Sequence, residues 1–199
     1  MSDLERIFGS VATSARCTEA MRESVEAVLQ LAVEIAREGR EGRKIGTLFV
    51  VGDVENVLER SRPLLLDPLY GHASDLLNVR SPEFRETVKE LAQLDGAFVV
   101  DKHGTFVSAA RYIDVEPGAQ LLPGLGTRHA AAASVTSQTR AVGVVVSQSS
   151  IVRVYARGEI RAEIVPELFL LSREGLFAQG ADVRQVPEAG ITLAVADGG

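Results

Sequence analysis

One stretch of the chain places polar side chains directly before a strong helix former. Residues 124–136 read GLGTRHAAAASVT, in which Gly126, Thr127, Arg128 and His129 lead into four alanines. A glycine-containing loop that enters a helix presents free N–H groups and the positive end of the helix dipole, and both attract phosphate. Thr127 can cap the helix or donate its hydroxyl, Arg128 offers a planar fork, and His129 can donate a hydrogen bond and carry charge near neutral pH. A capped packing helix with one surface arginine and one core histidine explains the same residues, and their spacing leaves both interpretations open.

A second candidate is Asp95-Gly96-Ala97, at a predicted helix-to-strand junction. A carboxylate there could hold a divalent cation, and the glycine lets backbone or a ligand approach closely. Asp-Gly is also a common turn dipeptide, so a simple turn is the alternative. Ser147, at the end of a later predicted strand, could line a cleft or belong to an ordinary turn.

Several familiar catalytic patterns are missing from the sequence. It contains no GxxxxGK[ST] phosphate loop, no GxGxxG fingerprint, no HExxH zinc motif and no GxSxG nucleophile elbow. The single cysteine, Cys17, excludes an internal disulfide framework and a cysteine metal cluster. It lies beside the apolar stripe of a predicted helix, where we expect it to be chemically inert.

Composition favours one globular domain with a modest extra lobe. The 199 residues are 46% hydrophobic and 24% charged. The net charge of -6, without a basic stripe, argues against broad nucleic-acid binding but allows a local phosphate site. The N-terminus lacks a signal-peptide pattern, and no apolar stretch approaches the roughly 20 residues that cross a bilayer. We therefore expect a soluble, cytoplasmic protein with no membrane or nucleic-acid partner.

Hydrophobic periodicity predicts the elements that must position these residues. Helices are predicted at 18–38, at 54–60, from Ser81 onward, at 127–137 and at 166–174. Strands are predicted at 47–53, 96–100, 105–113, 141–147, 151–156, 160–165 and 191–195. This order predicts an α/β (α+β) fold, with a mixed central β-sheet flanked by helices and a small helical N-terminal lobe.

The two candidate motifs together resemble those of the diadenylate cyclase domain, the nucleotide-binding domain also found in the DNA-integrity scanning protein. Asp95-Gly96-Ala97, then Gly126-Thr127-Arg128-His129, then a strand ending in Ser147 follow the family's order over roughly 91–165. Upstream, GREGRKIGTLFVVGDVENVLERSRPLLLDP is similar to short soluble cyclases of archaeal type. The resemblance implies an N-terminal lobe at 1–80, the cyclase domain at 81–175 and a C-terminal extension at 176–199.

The resemblance also implies a reaction and its residues. Two ATP molecules would be joined into cyclic di-AMP with release of two pyrophosphates, with Mg²⁺ or Mn²⁺ as cofactor. One domain would hold one ATP, so two copies must meet face to face in a homo-oligomer. The implied catalytic residues are Asp95, Arg128 and His129, with Asp95 as the metal ligand. The implied ATP-binding residues are Gly96, Ala97, Gly126, Thr127, Arg128, His129 and Ser147.

The sequence departs from the family pattern at two places. The family's Arg-His-Arg ends in Ala130 here, and its Ser-Glu-Glu is Ser147-Gln148-Ser149. A charge-assisted hydrogen bond is worth about 1.5–3 kcal/mol, so loss of one arginine could slow turnover roughly 10- to 100-fold. The cations that could compensate are Arg43, Lys44 and Arg111.

Two other hypotheses stay open, and the departures motivate the first of them. One is a catalytically weak or inactive sensor module that binds ATP or cyclic di-AMP. The other is a structural oligomerisation domain that binds no nucleotide.

Overall fold

The fold is built from four helices and nine strands within the residues that the structure describes. A computed structural model of the chain describes residues 12–13, 15, 17–64, 66–115, 125–165, 181–186 and 191–196. The helices are α1 (Glu19–Glu38), α2 (Val54–Glu59), α3 (Pro82–Leu91) and α4 (Thr127–Gln138), with a short 3₁₀ turn at Ser74–Leu76. The strands are β1 (Thr47–Val51), β2 (Ser61–Pro63), β3 (Ala97–Val100), β4 (Phe106–Ile113), β5 (Val142–Val146), β6 (Val152–Ala156), β7 (Glu159–Val165), β8 (Ala181–Val186) and β9 (Ile191–Ala196).

All of these strands belong to one mixed sheet, in the order β2-β4-β3-β1-β5-β6-β7-β9-β8. The neighbours β1 and β3 are parallel, and every other neighbouring pair is antiparallel. The predicted α+β class with a mixed central sheet is confirmed. Since β1 lies between β3 and β5, the predicted lobe at 1–80 and the predicted domain at 81–175 share this sheet.

Helices cover both faces of the sheet. Strand β1 is buried along its whole length, which explains why TLFVV reads as a continuous apolar run. Phe49 and Val51 point into the core beneath α1 and α3, whereas Leu48 and Val50 pack with Ala132 and Val135 of α4. The molecule therefore has three layers, with the sheet in the middle.

The layer formed by α1 and α3 is held by aromatic contacts and ion pairs. Ser81 caps α3 as predicted, because its hydroxyl accepts a hydrogen bond from the Phe84 N–H at 3.3 Å. The Phe84 ring packs edge-on against Phe106 with centroids 5.2 Å apart. Lys89 of α3 forms ion pairs with Glu34 and Glu38 of α1 at 3.2 and 3.0 Å. These contacts fix α3, and with it the chain that leads into β3.

Most of the predicted elements are confirmed, with ends that differ by one or two residues. Strands β2 and β8 were not predicted, because β2 has only three residues and β8 lies in a part of the sequence with a weak hydrophobic pattern, where pairing with β9 determines the strand. The helix predicted at 166–174 lies outside the described residues. Within the described parts of the chain, no helix is both long and apolar enough to cross a membrane.

Gly96 is required by a close approach of two strands. The residue has a φ of +103°, and a Cβ placed on it would lie 2.6 Å from the carbonyl carbon of Ala110. Ala110 itself has a positive φ of 51°, and the β3–β4 register shifts between Ala97 and Val99. A bulge in β4 therefore presses against Gly96, which confirms the prediction that this glycine permits a close backbone approach.

Replacing Gly96 with alanine should lower the free energy of unfolding by about 2–3 kcal/mol, because strain at positive φ adds to a clash with rigid backbone. Gly71→Ala is the matched control: φ is +83° and nothing lies within 4 Å of the added Cβ. Gly71→Ala should lower the free energy of unfolding by about 1 kcal/mol, from backbone strain alone. Urea unfolding of both variants measures the difference, and equal losses would contradict the proposed clash.

Candidate functional site

The predicted site residues lie at one edge of the sheet because of the strand directions. Strands β1 and β3 are parallel, and β5 runs antiparallel to β1. The starts of β1 and β3 and the end of β5 therefore share an edge. Asp95 and Gly96 precede β3, Gly46 precedes β1, and Ser147 and Gln148 follow β5.

Helix α4 brings its first turn to this edge by packing closely on β5. A Cβ added to Gly143 of β5 would lie 3.2 Å from the Cβ of Ala132, so small residues on both sides set the distance. The N-cap is Gly126 in extended backbone, with no side-chain cap, so Thr127 is the first helical residue rather than the cap. The first N–H groups of a helix have no intrahelical acceptor, and here they face the edge with the positive end of the dipole.

Arg128 joins the two sequence motifs in space. Its Nη2 lies 3.1 Å from Oδ1 of Asp95, although 33 positions separate the residues in the chain. A Cβ on Gly46 would lie 3.0 Å from Nη1 of Arg128 and 3.3 Å from Cγ of Gln148, so the bare backbone at Gly46 makes room for the guanidinium. The Asp95 side chain is 83% exposed and that of Arg128 is 33% exposed. Such an exposed pair contributes at most about 1 kcal/mol, so a stronger ligand can open it.

His129 points into the contact between α4 and β6. The residue is only 7% exposed. Its Nδ1 lies 3.0 Å from the Tyr155 hydroxyl, and its Nε2 lies 3.5 Å from Nη1 of Arg153. Arg153 is in turn ion-paired with Glu163 of β7. Sequence reasoning did not find Arg153, Tyr155 or Glu163, because no local pattern shows which face of β6 packs against α4.

The environment of His129 determines its protonation. Burial, assisted by the positive charges of Arg153 and Arg128, lowers its pKa from 6.5 to about 4. The expectation that His129 carries charge near neutral pH is therefore wrong, and the ring is neutral there. The two interpretations of GLGTRHAAAASVT both describe part of the structure, since the turn holds an arginine at the surface edge and a histidine in the core.

The remaining candidates divide between the edge and other parts of the fold. Ser147 is half-buried, and its Oγ accepts a hydrogen bond from the Ile151 N–H at 3.1 Å and contacts the Ser149 hydroxyl at 2.7 Å. Ala130 is 9% exposed, so this departure from the family pattern occupies a mostly covered position. Arg111, a cation that could compensate, donates to the Ser61 hydroxyl and carbonyl, both at 2.8 Å. Those bonds hold the Arg111 side chain, which belongs to β4, against β2.

The Asp95 carboxylate at the edge suits a metal ion that binds together with phosphate, rather than one held entirely by protein ligands. Among the described residues, no group of three or more histidine, cysteine, aspartate or glutamate side chains is placed to hold a metal. Asp95 offers one accessible carboxylate. Mg²⁺ is commonly bound by one or two carboxylates together with substrate phosphates and waters, so Asp95 fits that kind of site.

The buried, neutral His129 should make stability depend on pH. As the pH falls from about 6.5 towards 4, the unfolded chain binds a proton that the folded protein does not, so the free energy of unfolding falls. Between pH 7.5 and 5 we expect His129 to account for a loss of about 1–2 kcal/mol. Urea unfolding at both pH values should show that His129→Gln removes this loss and that His103→Gln, at an exposed position, retains it. An unchanged pH dependence in His129→Gln would contradict the interpretation.

Two relatives of known activity align with more than two thirds of this chain. A diadenylate cyclase of Methanocaldococcus jannaschii is 42% identical over 154 residues, which cover 77% of this chain and 49% of that protein. A diadenylate cyclase of Haloferax volcanii is 37% identical over 144 residues, covering 71% of this chain and 52% of that protein. The chain thus spans about half the length of the curated relatives that it matches.

A solved structure and a family model complete the comparison. The crystal structure of a hypothetical membrane spanning protein from Bacillus cereus aligns with a TM-score of 0.53 at 22% identity, covering 69% of this chain and 62% of that chain, and supports the fold alone. The family model matches residues 34–160, which is more than half of the chain and includes both motifs. The chain therefore belongs to the family of the DisA bacterial checkpoint controller nucleotide-binding domain, also abbreviated DAC, as its sequence motifs predicted.

Proposed function

We propose that the protein is a diadenylate cyclase that converts two ATP molecules into cyclic di-AMP and two pyrophosphates. The observation that carries the proposal is the meeting of Asp95 and Arg128 at the start of α4. Membership of the family and the similarity to two archaeal diadenylate cyclases support it. In each half of the reaction, a 3′-hydroxyl oxygen bonds to the α-phosphorus of the other ATP, the bond to pyrophosphate breaks, and the hydroxyl loses its proton.

The first turn of α4 is the proposed triphosphate site. Gly126 leaves the helix start open to an anion, and the Thr127 hydroxyl and the Arg128 guanidinium can donate to phosphate oxygens. Arg128 would exchange its exposed bond to Asp95 for phosphate and oppose the charge that develops as pyrophosphate leaves. His129 belongs to the same turn, and we propose that it contributes with Thr127 and Arg128 to binding the triphosphate.

The strand ends supply the rest of the proposed nucleotide site. Gly96 and Ala97 would border the nucleotide at the start of β3, and Ser147 would approach the phosphates from the end of β5. Asp95 would hold the divalent cation, Mg²⁺ or Mn²⁺, and accept a hydrogen bond from the attacking hydroxyl. The bound cation would supply charge neutralisation at the phosphates.

Two copies of the chain would be needed for the reaction. One α4 turn provides one triphosphate site, whereas the product contains two nucleotides joined reciprocally. We therefore propose a homo-oligomer with facing sites, in which holding both ATP molecules together provides much of the rate enhancement. The ATP substrate and the single cysteine favour a cytosolic location.

A nucleotide sensor without turnover is the second candidate. Gln148, which takes the place of a family glutamate, lies beside Arg128 and Gly46 and brings no negative charge to the edge. The mostly buried Ala130 likewise brings no positive charge. Tight binding of ATP without formation of cyclic di-AMP would favour this alternative.

Asp95→Asn should reduce cyclic di-AMP synthesis at least about 100-fold while leaving the fold intact, because the carboxylate is exposed and its ion pair is weak. Asp75→Asn, which changes an exposed aspartate in the 3₁₀ turn, is the matched control and should keep wild-type activity. Product formation from ATP and Mn²⁺ can be followed by chromatography, with thermal unfolding to verify the fold. Wild-type turnover in Asp95→Asn would remove Asp95 from the site.

Specific activity should rise with protein concentration until the oligomer is saturated, because each product requires two bound ATP molecules on facing copies. Activity measured across a dilution series, alongside light scattering, gives both quantities on the same samples. Activity per protomer that stays constant while the protein dissociates to monomers would contradict the two-copy arrangement.

A further inference from the structure

The imidazole of His129 has a protein partner at each nitrogen. Tyr155 lies 3.0 Å from Nδ1, and Arg153 lies 3.5 Å from Nε2. Both partners belong to β6 and are two positions apart, so their side chains lie on the same face of the strand, the face that packs against α4. The ring is therefore fixed between a helix and the sheet.

Arg153 is itself held in place by a neighbouring strand. It lies directly opposite Glu163 in the β6–β7 register, and the two side chains form an ion pair. Only 11% of the Arg153 side chain and 12% of the Glu163 side chain are exposed. A guanidinium paired in this way, with little solvent around it, is a rigid donor.

The chemistry of arginine determines where His129 carries its proton. A guanidinium can donate hydrogen bonds but cannot accept them. Nε2 must therefore present its lone pair to Arg153, and the neutral ring carries its hydrogen on Nδ1, from which it donates to the Tyr155 oxygen. Among the described residues, Arg128 also acts on the ring through its positive charge, and Glu163 lies behind Arg153 as its ion-pair partner.

We propose that Arg153, Tyr155 and Glu163 are positioning residues that hold His129 in its Nδ1–H form, and that the ring orients the first turn of α4 towards phosphate instead of exchanging protons with the substrate. The inference rests on the proposed function for the identity of the ligand. Arg128 is the next residue towards the N-terminus, so a first turn of α4 that loses the His129 contacts to β6 would shift and carry the guanidinium away from Gly46 and Asp95.

Side-chain ¹H–¹⁵N NMR on the full chain tests the held ring directly. The protein has three histidines, and His129→Gln identifies the resonance of interest. We expect His129 to be protonated on Nδ1 only and to stay neutral from pH 8 to pH 5. Arg153→Met should allow the proton to move to Nε2. A proton on Nε2 in the wild type, or an unchanged tautomer in Arg153→Met, would overturn the assignment.

Calorimetry with α,β-methylene-ATP and Mg²⁺ measures how the His129 contacts affect the affinity for a triphosphate, without requiring turnover. Arg153→Met and Tyr155→Phe should each weaken binding about 3- to 10-fold. The matched control is Arg161→Met, because Arg161 of β7 has a side chain 15% exposed and an ion pair to Glu159 at 2.9 Å. It should bind like the wild type, and thermal unfolding verifies that each variant folds.

The outcomes separate the two proposals. Unchanged affinity in both Arg153→Met and Tyr155→Phe would overturn the positioning role, as would an equal loss in Arg161→Met. A wild-type protein that binds the analogue but makes no cyclic di-AMP from ATP would overturn the cyclase proposal and leave the positioning role supported. A wild type that does not bind the analogue would overturn the positioning role and the nucleotide site together, whatever the histidine spectrum shows.

Discussion

The close packing of α4 on β5 is the contact on which the rest of the site depends. Gly143 and Ala132 are both small, so the helix lies nearer to the sheet than larger side chains would allow. A helix is a rigid body over its length, and fixing its middle also fixes where its first turn ends. Residues that contribute nothing to chemistry therefore determine where Arg128 is placed, and the alanine run is part of the site for that reason.

The strand directions supply the other half of the arrangement. Only because β1 is parallel to β3 and antiparallel to β5 do Asp95, Gly46 and Gln148 share an edge. Each of them lies just outside a strand, where the backbone is free of the ladder and side chains can face a ligand. The bulge at Ala110, against Gly96, then holds the approach to β3 in one conformation.

The sequence allowed much of this to be predicted, and what it missed has physical causes. Helix α1 and the start of α3 carry strong local patterns, an apolar stripe and Ser81-Pro82, so both were found. The link between Asp95 and Arg128 came from family motifs, since no local property joins distant residues. The surroundings of His129 were missed because they depend on the register that places Arg153 opposite Glu163, and register is set by the whole sheet. Strand β2 was missed for a related reason, since its few residues become a strand only beside β4.

The ion pair between Asp95 and Arg128 also has a thermodynamic consequence. While the two are paired, the Asp95 carboxylate uses a hydrogen-bond donor of Arg128 that could bind an anion, and Arg128 uses a carboxylate oxygen that could bind a cation. An anion that engages Arg128 releases Asp95 for a cation, and a cation that engages Asp95 releases Arg128 for an anion. The two ligands are therefore coupled, and the coupling is reciprocal. Since an exposed pair is worth at most about 1 kcal/mol, each ligand should tighten the other's binding by no more than roughly fivefold. The proposed site would therefore bind a cation and an anion together more tightly than either one alone.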